Sequence, residues 1–138
     1  MIISKLTYES IDESFIETIS SFRTFNFNIE HTKHLFQSLP NNINIFIVKD
    51  WNKTIASGTI LIEQKFIRDG GKVAHIEDII VHPNYRNKGI GKILIEHLLT
   101  EAKKKCCYKA ILDCEQEVTG FYEKLGFVKS SLHMRKDL

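Results

Sequence analysis

HIEDIIVHPNYRNKGIGKILIEHLLTEAKKK, residues 75–105, decides the fold. Ile76, Ile79, Ile80 and Val81 have the branched apolar composition of a strand buried on both faces. Pro83 ends that run by removing a backbone donor, and Asn84 suits the turn that follows. Arg86 to Lys92 is a basic, glycine-bearing loop, after which Ile90, Ile93, Leu94, Leu98 and Ala102 recur at helical spacing. The pattern is strand, glycine loop, helix. Such a loop suits a phosphate, because glycines allow close backbone approach and unpaired N–H groups at the helix start point at the anion. A plain strand-to-helix connection has the same short pattern, so the loop alone leaves both readings open.

Upstream, Ile2 to Tyr8 reads as a first strand. Ser10 and Glu13 have capping-box spacing ahead of the helical stripe Phe15, Ile16, Ile19 and Phe22. Arg23 to Ile29, aromatic and asparagine-rich without a period, reads as a surface loop. Thr32 is the expected cap of a second short helix through Leu35, Phe36 and Leu39, closed by Pro40. Asn44–Lys49 and Thr54–Lys65 form a predicted hairpin turning at Asp50 to Lys53, and Gly58 within it marks a bulge or a close backbone approach. Arg68 to Lys72 is the next turn. Downstream, Tyr108–Cys114 is a predicted buried strand, Glu117–Leu125 a short helix ended by Gly126, and Phe127–Arg135 a closing strand. The sum is one α/β domain, residues 1–138, with a mixed sheet.

A chain of 138 residues is long enough for one domain with a real core. Nineteen Lys plus Arg against seventeen Asp plus Glu gives +2, which calls for no nucleic-acid partner. The lysines at 103 to 105 suit a solvated helix end. Cys106, Cys107 and Cys114 fit neither a disulfide framework nor zinc spacing, and His31 and His34 have no further ligand at metal spacing, so no metal is expected. Met1 to Lys5 lacks the apolar core of a secretory signal, and no stretch approaches membrane-spanning length. A cytoplasmic protein in a reducing compartment, with no membrane association, is the expectation.

Arg86-x-x-Gly89-x-Gly91, placed between strand and helix, together with Phe121-Tyr122-Glu123-Lys124-Leu125-Gly126-Phe127, resembles the GNAT acyltransferase superfamily. Within it, HIEDIIV (75–81), ILDC (111–114), FYEKLGF (121–127) and Ile62 to Ile67 resemble the glucosamine 6-phosphate N-acetyltransferases. The resemblance implies a mixed central sheet whose central strand pair splays apart, flanked by helices, and acetyl-CoA as co-substrate. It implies cofactor contacts from Ile79, Ile80 and Val81 and from Arg86, Asn87, Lys88, Gly89, Ile90, Gly91 and Lys92, the loop amides binding the pyrophosphate. It also implies transfer of acetyl directly to the amine of glucosamine 6-phosphate, feeding UDP-N-acetylglucosamine synthesis, and a homodimer that exchanges its final strand.

Acetyl transfer from a thioester to an amine needs a neutral amine, a donor for the developing oxyanion and a proton for the departing thiolate. Glu77 and Asp78 interrupt an apolar strand, and neighbours on a regular strand point to opposite faces unless a bulge intervenes. The resemblance implies that distortion, which brings both carboxylates near the sugar. Glu77 is then the candidate proton acceptor, directly or through water, and Asp78 a substrate-orienting acceptor. A structural pairing of the two with neighbouring Lys or Arg remains the other reading. Asp113 is a candidate to hold the amine or sugar hydroxyls, or else a strand-end turn residue.

Tyr122 is the candidate acid at the sulfur, assigned by resemblance, whereas composition alone makes it a packing residue. A backbone N–H near Ile79 to Val81 is expected to stabilise the oxyanion. Cys114 reads as a small thiol and not as a nucleophile, since no histidine can be tied to it. For the phosphate, Lys65 matches a basic position of the family, and Arg23, Arg135 and Lys136 lie in segments resembling its phosphate-binding regions. Two departures stand out: Val118 replaces an asparagine that contacts the cofactor, and Asp137 stands near the family's arginine. The remaining alternatives are another amine acceptor, such as a peptide N-terminus, lysine or polyamine, and an acyl-CoA-binding module without turnover.

Overall fold

The computed structural model describes all 138 residues. Its five strands are β1 (Ile2–Lys5), β2 (Ile43–Asp50), β3 (Lys53–Gln64), β4 (Lys72–Val81) and β5 (Cys107–Ile111), in that order across one sheet. All neighbours are antiparallel except β4 and β5, which are parallel. A parallel pair needs a crossover, and α4 (Ile90–Lys104) supplies it. The sheet is mixed for that reason.

Alternation along β2 puts its side chains into two layers. Phe46 and Val48 join Ile55, Ala56, Ile60, Ala74 and Ile76 of the sheet against Ile90, Leu94, Ile95, Leu98 and Ala102 of α4. Ile47 points the other way, into a smaller cluster with Leu6, Ile11 and Phe15 beneath α1 (Glu13–Ser20). Leu94, Ile95 and Leu98 are fully buried, and each such side chain contributes about 1.5–3 kcal/mol. Of the helical stripe read from the sequence, Ile90, Leu94, Leu98 and Ala102 lie in the core, whereas Ile93 is 44% exposed and Ile95, outside that stripe, is fully buried. The Thr18 hydroxyl ties α1 to the sheet by donating to the Thr54 carbonyl at 2.9 Å, and Ser14 Oγ accepts the Thr54 N–H at 2.9 Å.

Several boundaries differ from the sequence reading. Asp12, not Ser10, caps α1, its carboxylate accepting the Phe15 N–H at 3.0 Å and the Ser14 hydroxyl at 2.6 Å. Ser10 instead closes a turn by accepting the Thr7 N–H at 2.8 Å. α2 (Ile29–Gln37) is capped by Asn28, which accepts the His31 N–H at 2.8 Å, and Thr32 lies inside the helix with its hydroxyl donating to the Asn28 carbonyl. The turn between β3 and β4 holds a four-residue element, α3 (Ile67–Gly70), in which Arg68 and Asp69 are left-handed. β5 stops at Ile111, which leaves Asp113 and Cys114 on the loop beyond it. That loop passes through a 3₁₀ turn (Gln116–Val118) into α5 (Thr119–Glu123).

The expected closing strand at Phe127–Arg135 is absent. Those residues carry no sheet pairing, and Val128, Leu132 and Met134 are 82%, 91% and 90% exposed. A strand forms only where a neighbour accepts its backbone hydrogen bonds, and in the single chain β5 is the last strand of the sheet.

Candidate active site

β4 is paired with β5 only from Lys72 to His75, opposite Cys107 to Ile111. From Ile76 to Val81 it continues with no partner on that side, so the two parallel strands part midway along β4. The cleft so formed has the carboxylate-bearing segment of β4 on one side and the loop after β5 on the other.

On its other edge, β4 carries a bulge. Thr59 pairs with Glu77 and Ser57 with Ile80, so Gly58 alone faces Asp78 and Ile79. Asp78 sits at φ +49°, a left-handed conformation that a regular strand never contains. Gly58 leaves room for the packing here: a Cβ would lie 2.7 Å from Ile79 Cδ1 and 3.2 Å from both Leu94 Cδ2 and Leu98 Cδ1, so those side-chain tips would have to shift. The bulge breaks the alternation that would otherwise bury one of two adjacent carboxylates. Glu77 and Asp78 are both exposed.

Glu77 is electrostatically crowded. Partial desolvation pushes its carboxyl above the ordinary value, Asp113 and then Asp78 add to the shift, and His75 and His133 oppose it. Tyr122, from α5, is half-buried, with its ring edge-on to Phe121 at 5.0 Å and to Phe127 at 5.9 Å. Burial raises its phenol above the ordinary value, and Cys114 and Asp113 raise it further. The sequence candidates Glu77, Asp78, Asp113 and Tyr122 thus share one neighbourhood, with Cys114 beside them.

At the far end of β4, His82 is buried and uses both ring nitrogens: Nδ1 accepts the Asn84 N–H at 3.3 Å, and Nε2 lies 3.2 Å from Glu17 Oε1. This fixes the start of the glycine loop against α1. Arg86 Nε donates to the Val81 carbonyl at 3.1 Å and Lys88 Nζ to the Asn84 carbonyl at 3.2 Å, folding the loop on itself. Asn87 and Gly89 have φ of +60° and +77°. Gly89 occupies the cap of α4 with no side-chain hydrogen bond, so the first amides of the helix have no side chain to satisfy them. Unsatisfied amides at a helix start present the geometry and partial positive charge that favour an anion. Ile80 and Ile90 are buried, so their side chains support the loop from below. Lys92 is exposed and lies 3.9 Å from Glu96.

The candidate phosphate ligands are not gathered at the carboxylates. Lys65 pairs with Glu63 at 3.1 Å, and Glu63 also meets His75 Nε2 at 2.8 Å; these two partners hold the Glu63 carboxyl below its ordinary value, His75 more strongly. Arg135 pairs with Asp137 at 2.6 Å, both exposed. Arg23 donates to the Phe22 carbonyl and lies over the Phe22 ring, and Lys136 is exposed. Val118 has a 44% exposed apolar side chain and offers no polar group to a cofactor. The sequence reading missed His133, whose Nδ1 lies 3.9 Å from Asp113 Oδ2. No spacing rule signals it, since it arrives from the tail. His31 and His34 are exposed on α2, and no group of three or more metal-ligating side chains occurs in the chain.

The profile of the Acetyltransferase (GNAT) family matches residues 8–127. The chain is 45% identical over 84 residues to the glucosamine 6-phosphate N-acetyltransferase of Arabidopsis thaliana, a match covering 61% of this chain and 56% of that protein. This chain therefore spans little more than half the length of that relative. It is 34% identical over 134 residues to glucosamine 6-phosphate N-acetyltransferase 1 of Dictyostelium discoideum, covering 94% of this chain and 85% of the other. The crystal structure of the Arabidopsis enzyme superposes with a TM-score of 0.86 at 33% identity, over 99% of this chain and 97% of that one. With the parted strands, the bulge and the uncapped glycine loop in the same places as the matched motifs, the chain belongs to the GNAT family of acetyltransferases.

Proposed function

We propose that this chain transfers the acetyl group of acetyl-CoA directly to the amine of D-glucosamine 6-phosphate, giving N-acetylglucosamine 6-phosphate and CoA. The observation that carries the reading is the bulge opposite Gly58, which exposes Glu77 and Asp78 together beside Asp113 and Tyr122. The names of the relatives point to the same acceptor. The pyrophosphate is assigned to the amides at Asn87 to Lys92 and the thioester to Ile79, Ile80 and Val81, whose backbone is free of β5.

An amine attacks only when neutral. Glu77, raised above its ordinary value, is a better proton acceptor than a free carboxylate, and Asp78 and Asp113 hold the ammonium and sugar hydroxyls. A backbone N–H in Ile79 to Val81 receives the oxyanion. Tyr122 meets the departing thiolate.

The product suits the synthesis of amino-sugar nucleotides such as UDP-N-acetylglucosamine. The three cysteines are free and no helix is long and apolar enough to cross a membrane, which fits a cytoplasmic enzyme. The unpaired tail and the open edge of β5 fit a homodimer with exchanged C-terminal segments. For the phosphate, Lys65, Arg135, Lys136 and Arg23 are the cations to recruit, which requires Lys65 and Arg135 to leave Glu63 and Asp137.

That requirement favours one competing reading, a polyamine or another cationic acceptor drawn to three carboxylates. Thiol release from acetyl-CoA, measured in parallel with glucosamine 6-phosphate, glucosamine, spermidine and a short peptide, separates the two. Acetylation of the phosphosugar alone is the expected outcome; turnover confined to spermidine or peptide overturns the acceptor assignment and leaves the family assignment standing.

A further inference from the structure

We propose that His82 is a positioning residue of the cofactor loop, its neutral imidazole shaping the turn that leads into Asn87 to Lys92 and tying that turn to α1 through Glu17. The inference rests on the reading of those loop amides as the pyrophosphate site.

His82 is 7% exposed and is the only ionisable side chain among the buried residues of the chain. An imidazole so placed is costly unless both of its nitrogens are satisfied. Both are, and the two partners fix the tautomer. Nδ1 accepts the Asn84 N–H at 3.3 Å, so it carries no proton, and the proton on Nε2 is donated to Glu17 Oε1 at 3.2 Å. The other Glu17 oxygen lies 3.3 Å from Lys53 Nζ in the turn between β2 and β3. One carboxylate thus joins α1, the hairpin and the start of the loop.

The His82 backbone is held as well: its N–H donates to the Ile55 carbonyl at 2.9 Å, and its carbonyl accepts the Tyr85 N–H at 2.8 Å. The loop side chains run back to the segment so fixed. Arg86 bonds the Val81 carbonyl and Lys88 the Asn84 carbonyl, while the Lys88 ammonium lies 5.2 Å from the centre of the Tyr85 ring, which stands edge-on to His82 at 6.0 Å. Releasing Asn84 therefore frees the base on which the left-handed residues Asn87 and Gly89 are set. A loop ordered before its ligand arrives loses less entropy on binding, so the held turn favours the diphosphate in particular.

The labelled full chain is titrated by NMR with CoA and with pantetheine, the fragment of CoA that lacks the diphosphate and the nucleotide. The chain should bind CoA at least about tenfold more tightly than pantetheine, and the His82 nitrogen shifts at about pH 8 should report a proton on Nε2 alone. His82→Leu removes both bonds and should weaken CoA about tenfold while pantetheine stays within about twofold. His82→Asn, whose side-chain oxygen reaches the Asn84 N–H in an Asx turn, should recover most of that loss. Glu17→Ala, at a side chain 53% exposed, should weaken CoA about threefold in the parent chain and add nothing to His82→Leu. Should His82→Leu not fold, Glu17→Ala decides by the same comparison of CoA with pantetheine. A proton on Nδ1, an unchanged CoA affinity, equal losses for both ligands, a loss that His82→Asn does not recover, or additive effects of the two sites overturn the positioning role and leave the pyrophosphate site standing. A parent chain that binds CoA no better than pantetheine removes the pyrophosphate site, and the proposal falls with it.

Discussion

Tyr122 shows what its environment permits. A thiol ordinarily ionises near 8.5 and a phenol near 10, and burial with Cys114 and Asp113 nearby drives this phenol higher still. Full proton transfer to a departing thiolate runs uphill, so the hydroxyl serves best by donating a hydrogen bond as the sulfur gains charge. Tyr122→Phe keeps the ring between Phe121 and Phe127 and should lower kcat about 10²-fold, with both KM values within about twofold. Unchanged steady-state and single-turnover rates in that variant would remove Tyr122 from the chemistry. At Glu77 the sign runs the other way for stability than for activity. Its raised folded pKa means that the fold favours the neutral acid, so ionisation costs stability as pH rises through that value. Glu77→Gln should therefore raise Tm slightly at pH 8 while abolishing the acid limb of kcat/KM, which calorimetry and rate profiles check together.

At the scale of elements, the bulge between β3 and β4 is the feature on which the site depends. Gly58→Ala places a methyl 2.7 Å from Ile79 Cδ1 and against Leu94 and Leu98, and should destabilise by about 1–3 kcal/mol in denaturant unfolding. Because Ile79 belongs to the bulge, kcat/KM should fall by more than the unfolded fraction explains. Gly58 within a strand pattern and two adjacent acids in an apolar run were both legible in the sequence, since bulges and close approaches leave such marks. The strand, loop and helix of residues 75–105 were legible for the same reason, a strong apolar period. The caps were not. Ser10 and Asp12 are both good capping residues, and the Asp12 carboxylate won by accepting two hydrogen bonds at once. The sequence pattern carries the strand on to Cys114, with Asp113 inside it, but β5 stops at Ile111, and its extent is set by where β4 turns away. His133 was invisible, because only tertiary folding brings a tail residue to a loop residue.

The whole molecule presents an unfinished edge. The sheet ends at β5, with Tyr108 and Ile111 about 40% exposed, and the tail leaves Val128, Leu132 and Met134 almost wholly in water. Open strand edges and lone apolar segments are aggregation hazards unless something covers them. A second copy can cover both at once if the tails cross, each adding backbone hydrogen bonds to the other's sheet, and a stable interface of this kind buries more than about 1,000 Å². The full chain should sediment as a dimer at micromolar concentration. A chain ending at Phe127 retains the Phe127 ring beside Tyr122 and both core clusters, so it should stay folded but sediment as a monomer. Its turnover of glucosamine 6-phosphate should fall at least about tenfold, since Arg135 and Lys136 leave with the tail, whereas acetyl-CoA binding at the glycine loop persists. Sedimentation velocity and calorimetric titration of CoA read the two effects separately. A truncated chain that still dimerises sinks tail exchange, and one that keeps full turnover removes the tail from the acceptor site.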